Sequence, residues 1–309
     1  MTVVVAVKVF DGFVIAADSA TTMTIIPSHI PAFSTQVYNH ADKVFQLHRD
    51  LPIGLATWGG AHIGTGSISA LTKDLRLRLM GLDLDYPTWK LDERRYTIKE
   101  VADAVVSFFY DELFSKALEG QQPETGLLVA GYSAARRQAE AWQIMLVHPR
   151  ERPVPERVFD ELAYGWRVWG LPMAVSRLVE GIGPGLKEQV REMLSDDNRT
   201  KFDAILDMMA GPKVVPAMPF ADAIEFAKFC ADVTVGYARF SPGADIVGGP
   251  IDVAAISRHE GFRWVQRKHY YPGDLNPRRP HEHDRKVGRG DIDGESQCDG
   301  SELKDGDDG

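Results

Sequence analysis

Apolar residues follow a strand-like period at the start of the chain. Four β-rich apolar runs lie there, at residues 3–9, 13–17, 43–48 and 52–57. The first two runs flank Asp11-Gly12, and Asp-Gly between apolar runs is a strong signal for a β-hairpin. The chain is therefore expected to begin with a meander of short strands.

Helical spacing follows in residues 61–80 and is clearest in residues 97–119. Thr97 and Glu100 form a capping box at the start of the second segment, and Gly120 is expected to end it. Further helices are predicted at residues 172–181, 184–194, 200–210 and 219–238. Further strands are predicted at residues 126–131, 139–147, 246–256 and 262–267. Because strands and helices come in blocks, the pattern favours a sheet-on-sheet core covered by helices over a doubly wound parallel sheet.

The last part of the chain has a different composition. Residues 272–309 are rich in Gly, Pro and charged residues and nearly lack large apolar side chains. Such a segment cannot bury enough apolar surface to offset the entropy of ordering it, so a disordered acidic tail is predicted. Residues 2–268 form the predicted domain, with a large helical segment at about 150–240.

Composition narrows the function classes. The net charge of −9 argues against nucleic acid as a partner, because phosphate binding favours a positive face. No apolar run has the length of a membrane span, and no signal peptide is recognised at the start of the chain. Cys230 and Cys298 are the two cysteines of the sequence, which favours a reducing compartment over a disulfide framework. A cytoplasmic protein is expected.

Thr2 stands directly before the first predicted strand. Removal of Met1 would give this residue a free α-amine beside its hydroxyl, and such an amine has a reference pKa of about 7.7–8.0. A threonine hydroxyl with its own amine combines a nucleophile and a general base in one residue. The alternative is that Met1 is retained and Thr2 is an ordinary β-branched strand residue.

Three further positions carry candidate chemistry at the ends of predicted strands. Asp18 follows the second apolar run, where it is either a functional carboxylate or a turn residue. Lys43 opens a later strand and is otherwise a solvated edge lysine. Gly59-Gly60 lies between a strand and a helix, where backbone N–H groups can stabilise an oxyanion, or where a plain turn needs unusual φ angles.

The order of these features resembles the proteasome β-type family of N-terminal-nucleophile (Ntn) hydrolases, which includes the bacterial HslV peptidase subunit. The matching positions are Thr2, Asp11-Gly12, the stretch AADS with Asp18, Lys43 and Gly59-Gly60. The spacing from Thr2 to Asp18 matches the family without a gap. The resemblance implies an α+β fold, namely a four-layer α/β/β/α sandwich of antiparallel sheets.

The resemblance also implies roles for individual residues. Thr2 would be the nucleophile with its freed amine as the proton acceptor, Lys43 would lower the pKa of both groups, and Asp18 would hold Lys43 ionised. The N–H of Gly59 would stabilise the oxyanion, and Asp245 would stand for a second family aspartate. The residues expected to bind substrate are Thr22, Thr57 and Ala61.

Function and partners follow from the same resemblance. It implies a threonine-type peptidase that needs neither metal nor organic cofactor and acts on a peptide or protein substrate. A homo-oligomer, as a ring or an open spiral, is expected, and an ATP-dependent unfoldase is a candidate partner. The acidic residues and histidines at 281–284 look like a metal cluster but are expected to be solvated.

Two family serines have no counterpart in this chain. The turn before a later helix reads Trp169-Gly170-Leu171 without a serine, and Gly248 occupies the place of the serine that follows the second aspartate. These differences favour an alternative in which the chain is a catalytically silent assembly subunit. A non-proteolytic amidase of the same fold is the other alternative.

Overall fold

A computed structural model of the chain describes residues 2–25, 34–118, 120–149, 151–211, 213–242 and 247–268. Its strands, numbered β1 to β14 in chain order, are Val3–Lys8, Phe13–Ala17, Thr21–Ile25, Ser34–Tyr38, Val44–Gln46, Ile53–Gly59, His62–Ile63, Gly66–Ser67, Thr125–Gly131, Glu140–Leu146, Glu156–Phe159, Gly165–Gly170, Asp252–Ser257 and Gly261–Gln266. Its α-helices, numbered α1 to α6, are Ile68–Leu79, Ile98–Val106, Met173–Val179, Pro184–Met193, Asp196–Met209 and Phe220–Arg239.

The strands form two five-stranded antiparallel sheets. The first has the order β12-β1-β2-β13-β14 and the second has the order β11-β10-β9-β6-β5. The hairpin predicted at Asp11-Gly12 is confirmed, since β1 pairs with β2 in antiparallel register and the N–H of Val9 donates to the carbonyl of Gly12 at 3.0 Å. The strands β3 and β4 form a separate hairpin, as do β7 and β8.

Apolar side chains separate into three clusters that follow the two faces of each sheet. Strand β1 is buried on both faces, because Val4 and Ala6 belong to the cluster shared by the two sheets while Val5 and Val7 belong to a cluster with the helices α3 and α6. The third cluster joins the second sheet to α1 and α2. A strand buried on both faces reads as a nearly continuous apolar run, which is the pattern of residues 3–9 apart from Lys8.

The helices α2, α3, α4 and α6 begin within one residue of their predicted starts, whereas α1 and α5 do not. Thr97 caps α2, and its hydroxyl accepts the N–H of Glu100 at 3.1 Å, as the capping box predicts. The segment then continues as a π-helical turn, Ser107–Leu113, and a 3₁₀ turn, Phe114–Lys116, so it ends before Gly120. The helix predicted at 61–80 begins only at Ile68, because the residues before it form β7 and β8.

Several strands differ from the sequence prediction. The strand predicted at 246–256 begins at Asp252. The strands β3, β4, β11 and β12 were not predicted from the sequence pattern. They are short and mix polar with apolar residues, and β11 and β12 lie at sheet edges, where less of each strand is covered by neighbours. An edge strand therefore carries a weaker apolar signal than the central strands β1 and β9.

The described residues form a mixed α/β structure that is compatible with an α+β sandwich. None of the helices in the described ranges is both long and apolar enough to cross a membrane. The tail predicted at residues 272–309 lies outside the described residues.

Candidate active site

Thr2 directly precedes β1, and its residue surface is 3% exposed. The neighbouring strand β12 ends opposite it, with Val3 in register with Gly170. Gly170 has a φ of +84°, and a Cβ atom at this position would fall 1.8 Å from the carbonyl oxygen of Thr2. A glycine is therefore needed there for two reasons, the left-handed backbone and the close approach of the two chain segments.

Asp18 directly follows β2 and is fully buried. Its Oδ1 accepts the N–H of Val3 at 3.0 Å and the ammonium of Lys43 at 2.6 Å. Its Oδ2 accepts the N–H groups of Ala20 at 3.1 Å and of Gly248 at 3.0 Å. Hydrogen bonds to an ionised carboxylate are stronger than neutral ones, so this one side chain fixes the start of β1 relative to three other segments.

Lys43 is buried directly before β5, and its ammonium has the Asp18 carboxylate as ion-pair partner. Burial lowers the pKa of Lys43, and the neighbouring Asp18 opposes this effect. The carbonyl of Lys43 accepts the N–H of Thr57 at 2.9 Å, which anchors the lysine to β6. The structure therefore brings Asp18 and Lys43 together, and the Asp18 carboxylate also binds the residue that follows Thr2.

A second buried lysine lies near Lys43, and the sequence reasoning missed it. Lys268 follows β14 and pairs with Asp252, and its ammonium lies 3.6 Å from the carboxylate of Asp42. The charge of Lys268 contributes to lowering the pKa of Lys43. Asp252 begins β13 in register with Ala17. The sequence did carry a signal for this residue, because Asp252, like Asp18, is a charged residue at the end of an apolar strand.

Gly59 ends β6 with a φ of +84°, and a Cβ atom there would lie 2.4 Å from the carbonyl oxygen of Glu124. The same carbonyl accepts the N–H of Gly60 at 2.8 Å. The N–H of Gly60 is thus already engaged, whereas the oxyanion role expected for Gly59 stays a prediction. The glycine pair is explained structurally by the turn and by the approach to Glu124.

Two of the three residues expected to bind substrate carry hydroxyls without a partner. The Oγ1 atoms of Thr22, on β3, and Thr57, on β6, are buried and make no hydrogen bond within the described part of the chain. Ala61 is half-buried, and its carbonyl accepts the N–H of Ile68 at 3.0 Å. Within the described part of the chain, none of these three residues forms a hydrogen bond with the Asp18 carboxylate.

The two positions where family serines are missing have clear structural roles. Gly248 reaches Asp18 through its backbone N–H, so a residue with no side chain still contributes a hydrogen bond to the site. Trp169, before Gly170, stacks on Trp58 with ring centroids 5.3 Å apart and donates its indole N–H to Gln143. Asp245, the expected second aspartate, lies outside the residues that the structure describes.

Other parts of the chain offer less to the site. A cavity of about 580 Å³ runs along β12 and α3 and is not lined by Thr2, Asp18 or Lys43. Within the described ranges, no group of three or more His, Cys, Asp or Glu side chains could hold a metal ion. The predicted solvated cluster at residues 281–284 lies outside those ranges.

No protein-family model matches the chain, and no curated protein sequence matches it.

Proposed function

We propose that this protein is a threonine-type N-terminal-nucleophile hydrolase that cleaves peptide or other amide bonds through an acyl-enzyme on Thr2, after removal of Met1. The observation that carries the proposal is the buried Asp18 carboxylate, which binds both the Lys43 ammonium and the N–H of the residue after Thr2. One carboxylate thus joins a positive charge to the start of β1, the strand that directly follows the hydroxyl-bearing Thr2.

The fold supports the same proposal. The order of the three apolar clusters, with helices α1 and α2 on one sheet and α3 and α6 on the other, is what a four-layer α/β/β/α Ntn-hydrolase sandwich requires. In the first sheet β1 and β2 are interior strands that pair in antiparallel register, so that Thr2, before β1, and Asp18, after β2, lie at the same end of the sheet.

The proposed reaction needs only groups of this chain. The α-amine of Thr2 takes the proton of the hydroxyl as Oγ1 attacks the amide carbonyl, and the amine then gives this proton to the leaving nitrogen. The N–H of Gly59 would donate to the developing oxyanion. Water, activated by the same amine, then attacks the ester and frees Thr2.

Lys43 is proposed to tune this chemistry without touching the substrate. Its positive charge favours the deprotonated amine and alkoxide of Thr2, because a nearby cation disfavours a second positive charge. Burial strengthens such an effect, but it also lowers the pKa of Lys43 itself. The Asp18 ion pair opposes that loss and so maintains the charge on which the mechanism depends.

The proposal extends to substrate and assembly. The unpaired hydroxyls of Thr22 and Thr57 and the backbone near Ala61 would line a site for an extended peptide. A cytoplasmic homo-oligomer, as a ring or spiral, with an ATP-dependent unfoldase as a candidate partner, completes the proposal. Sedimentation velocity of the full chain tests the assembly, since a monomer at all concentrations would contradict it.

The first test is the intact mass and N-terminal sequence of the untagged protein. We expect the chain to begin at Thr2, to hydrolyse members of a panel of fluorogenic peptide amides, and to gain the mass of one threonine-directed inhibitor. Thr2→Ala should abolish labelling. It should also lower the rate of hydrolysis by at least about 1,000-fold, the loss expected when a covalent nucleophile is removed. Thr200→Ala, at an exposed helix position, is the matched control and should behave as the wild type.

Other outcomes of this experiment would contradict the proposal. If Met1 is retained quantitatively, the amine of Thr2 is blocked and the catalytically silent subunit becomes the better explanation. If the chain begins at Thr2 but Thr2→Ala retains the activity, another residue is the nucleophile.

A further inference from the structure

A small cavity lies outside the candidate active site, where α1, β5 and the segment after β14 meet. Its volume is about 60 Å³, and its polar lining includes Gln46, Lys73, Arg76 and Arg267. We refer to it as the Arg76 cavity. Since a cavity of about 10–15 Å³ by this measure holds one water molecule, the cavity has room for a small ion.

Arg76 differs from the other arginines that are shielded from solvent. Among the described residues, the arginines that are buried or half-buried are Arg76, Arg78, Arg191 and Arg199. The last three each pair with a carboxylate. Arg76 forms no ion pair and no side-chain hydrogen bond with any described residue. A partly desolvated guanidinium without a counter-ion is unfavourable, so the site favours a bound anion.

Neighbouring positive charges increase this cost. Burial lowers the pKa of Arg76, and the charges of Arg49 and Arg267 lower it further. Arg267 is held over the ring of Trp264 at 4.6 Å, which keeps its guanidinium near the cavity. The whole chain has a net charge of −9, so a cluster of like positive charges here is a local feature and not a result of the overall composition.

The carboxylate that lines the cavity is already bound to other groups. Asp42 accepts the hydroxyl of Ser69 at 3.0 Å and lies 3.8 Å from the Lys73 ammonium. Its other oxygen lies 3.6 Å from the ammonium of Lys268. Two lysines therefore share the charge of Asp42, and the guanidinium groups of Arg76 and Arg267 are left without a described counter-ion.

We propose that the Arg76 cavity binds a small oxyanion of the phosphate class, held by the guanidinium groups of Arg76 and Arg267. Arginine presents a planar set of N–H donors that matches the oxygens of phosphate, and charge-assisted hydrogen bonds of this kind are among the stronger polar contacts in proteins. Lys73 and Gln46 supply further donors at the rim. This site is separate from the proposed hydrolysis and does not depend on it.

The test is the stability of the full chain in inorganic phosphate, at constant ionic strength set with sodium chloride. A ligand that binds only the folded state stabilises it in proportion to the logarithm of its concentration above Kd. We expect the unfolding midpoint to rise with phosphate in this way. The variants Arg76→Gln and Arg267→Gln should each raise the fitted Kd at least about tenfold, and Arg94→Gln, at an exposed position, should leave it unchanged.

Separate outcomes decide between ligand classes. Sodium acetate is the second arm. A weaker response than that to phosphate is expected, because a carboxylate has only two oxygens to share between two arginines, whereas phosphate has four. An equal response to acetate would overturn the assignment to phosphate. A wild-type midpoint that does not depend on phosphate, or an Arg267→Gln variant with wild-type affinity, would overturn the site itself, even if Arg76→Gln fails to fold.

Discussion

At the scale of single residues, the Asp18 side chain connects distant parts of the chain. Its carboxylate joins residues that lie 15, 25 and 230 positions away in sequence, namely Val3, Lys43 and Gly248. The apolar run before Asp18 predicts a residue at a strand end, but only the folded chain supplies the four donors. A buried charge without these partners would be strongly unfavourable.

Replacing Asp18 by Asn tests this role. The variant removes the ion pair and leaves the Lys43 ammonium buried without its counter-ion, which costs about 3–5 kcal/mol in comparable buried pairs. We expect the free energy of unfolding, measured in urea at pH 7, to fall by that amount. Asp85→Asn is the matched control, because Asp85 is exposed, and a change within about 0.5 kcal/mol is expected there.

An Asp18→Asn variant as stable as Asp85→Asn would contradict the prediction. It would mean that Lys43 loses its proton in the variant at little cost, which its burial makes easier. The pKa of Lys43, followed by NMR of labelled lysine, would then lie well below neutral pH in the variant.

At the scale of elements, the end of β12 limits the geometry of the start of β1. Gly170 closes β12 directly against the carbonyl of Thr2, with no room for a Cβ atom. The sequence places a glycine directly after Trp169 but contains no sign that this glycine lies against Thr2. The pairing of β1 with β12 decides this.

Gly170→Ala should therefore be more harmful than an alanine at another left-handed glycine. Gly181 has a φ of +78° with open space around it, so Gly181→Ala measures the backbone cost alone, about 1–2 kcal/mol. Gly170→Ala adds the steric conflict with Thr2, and its loss of unfolding free energy in urea should be larger by at least about 1 kcal/mol. Equal losses for the two variants would show that the strand ends adjust without cost.

At the scale of the whole molecule, the two packed sheets bury a lysine far from the candidate active site. Lys8 ends β1, on the same face as Val4 and Ala6, which belong to the apolar cluster shared by the two sheets. Its ammonium donates to the carbonyl of Asp160 and lies 5.0 Å from the centre of the Tyr164 ring. Burial lowers its pKa from 10.5 to about 8.

This lowered pKa predicts a pH dependence of stability. Between pH 8 and 10.5 the unfolded chain still binds a proton at Lys8 while the folded chain has lost it. Stability rises with pH wherever the unfolded state binds more protons, so Lys8 contributes an increase in unfolding free energy across this window. Urea unfolding from pH 8 to 10.5 should show a smaller slope in Lys8→Met than in the wild type.

The comparison with Lys8→Met also removes the effect of other groups. Tyrosines and Lys43 titrate in both proteins, so their contributions cancel in the difference between the two slopes. Identical slopes would show that the pKa of Lys8 is not lowered in the folded protein. Lys201→Met, at an exposed position on α5, should keep the wild-type slope.

The sequence alone determined the features that depend on near neighbours. Asp11-Gly12 predicted the first hairpin, Thr97 predicted the start of α2, and the apolar runs before Asp18 and after Lys43 predicted strand ends that carry charge. Only the tertiary structure decided which of these ends meet. The N–H of Gly248 at Asp18, the pair of Lys268 with Asp252, and the close contact of Gly170 with Thr2 join distant segments. Strand order and sheet packing decide which segments meet in these contacts, and neither can be inferred from a local apolar pattern.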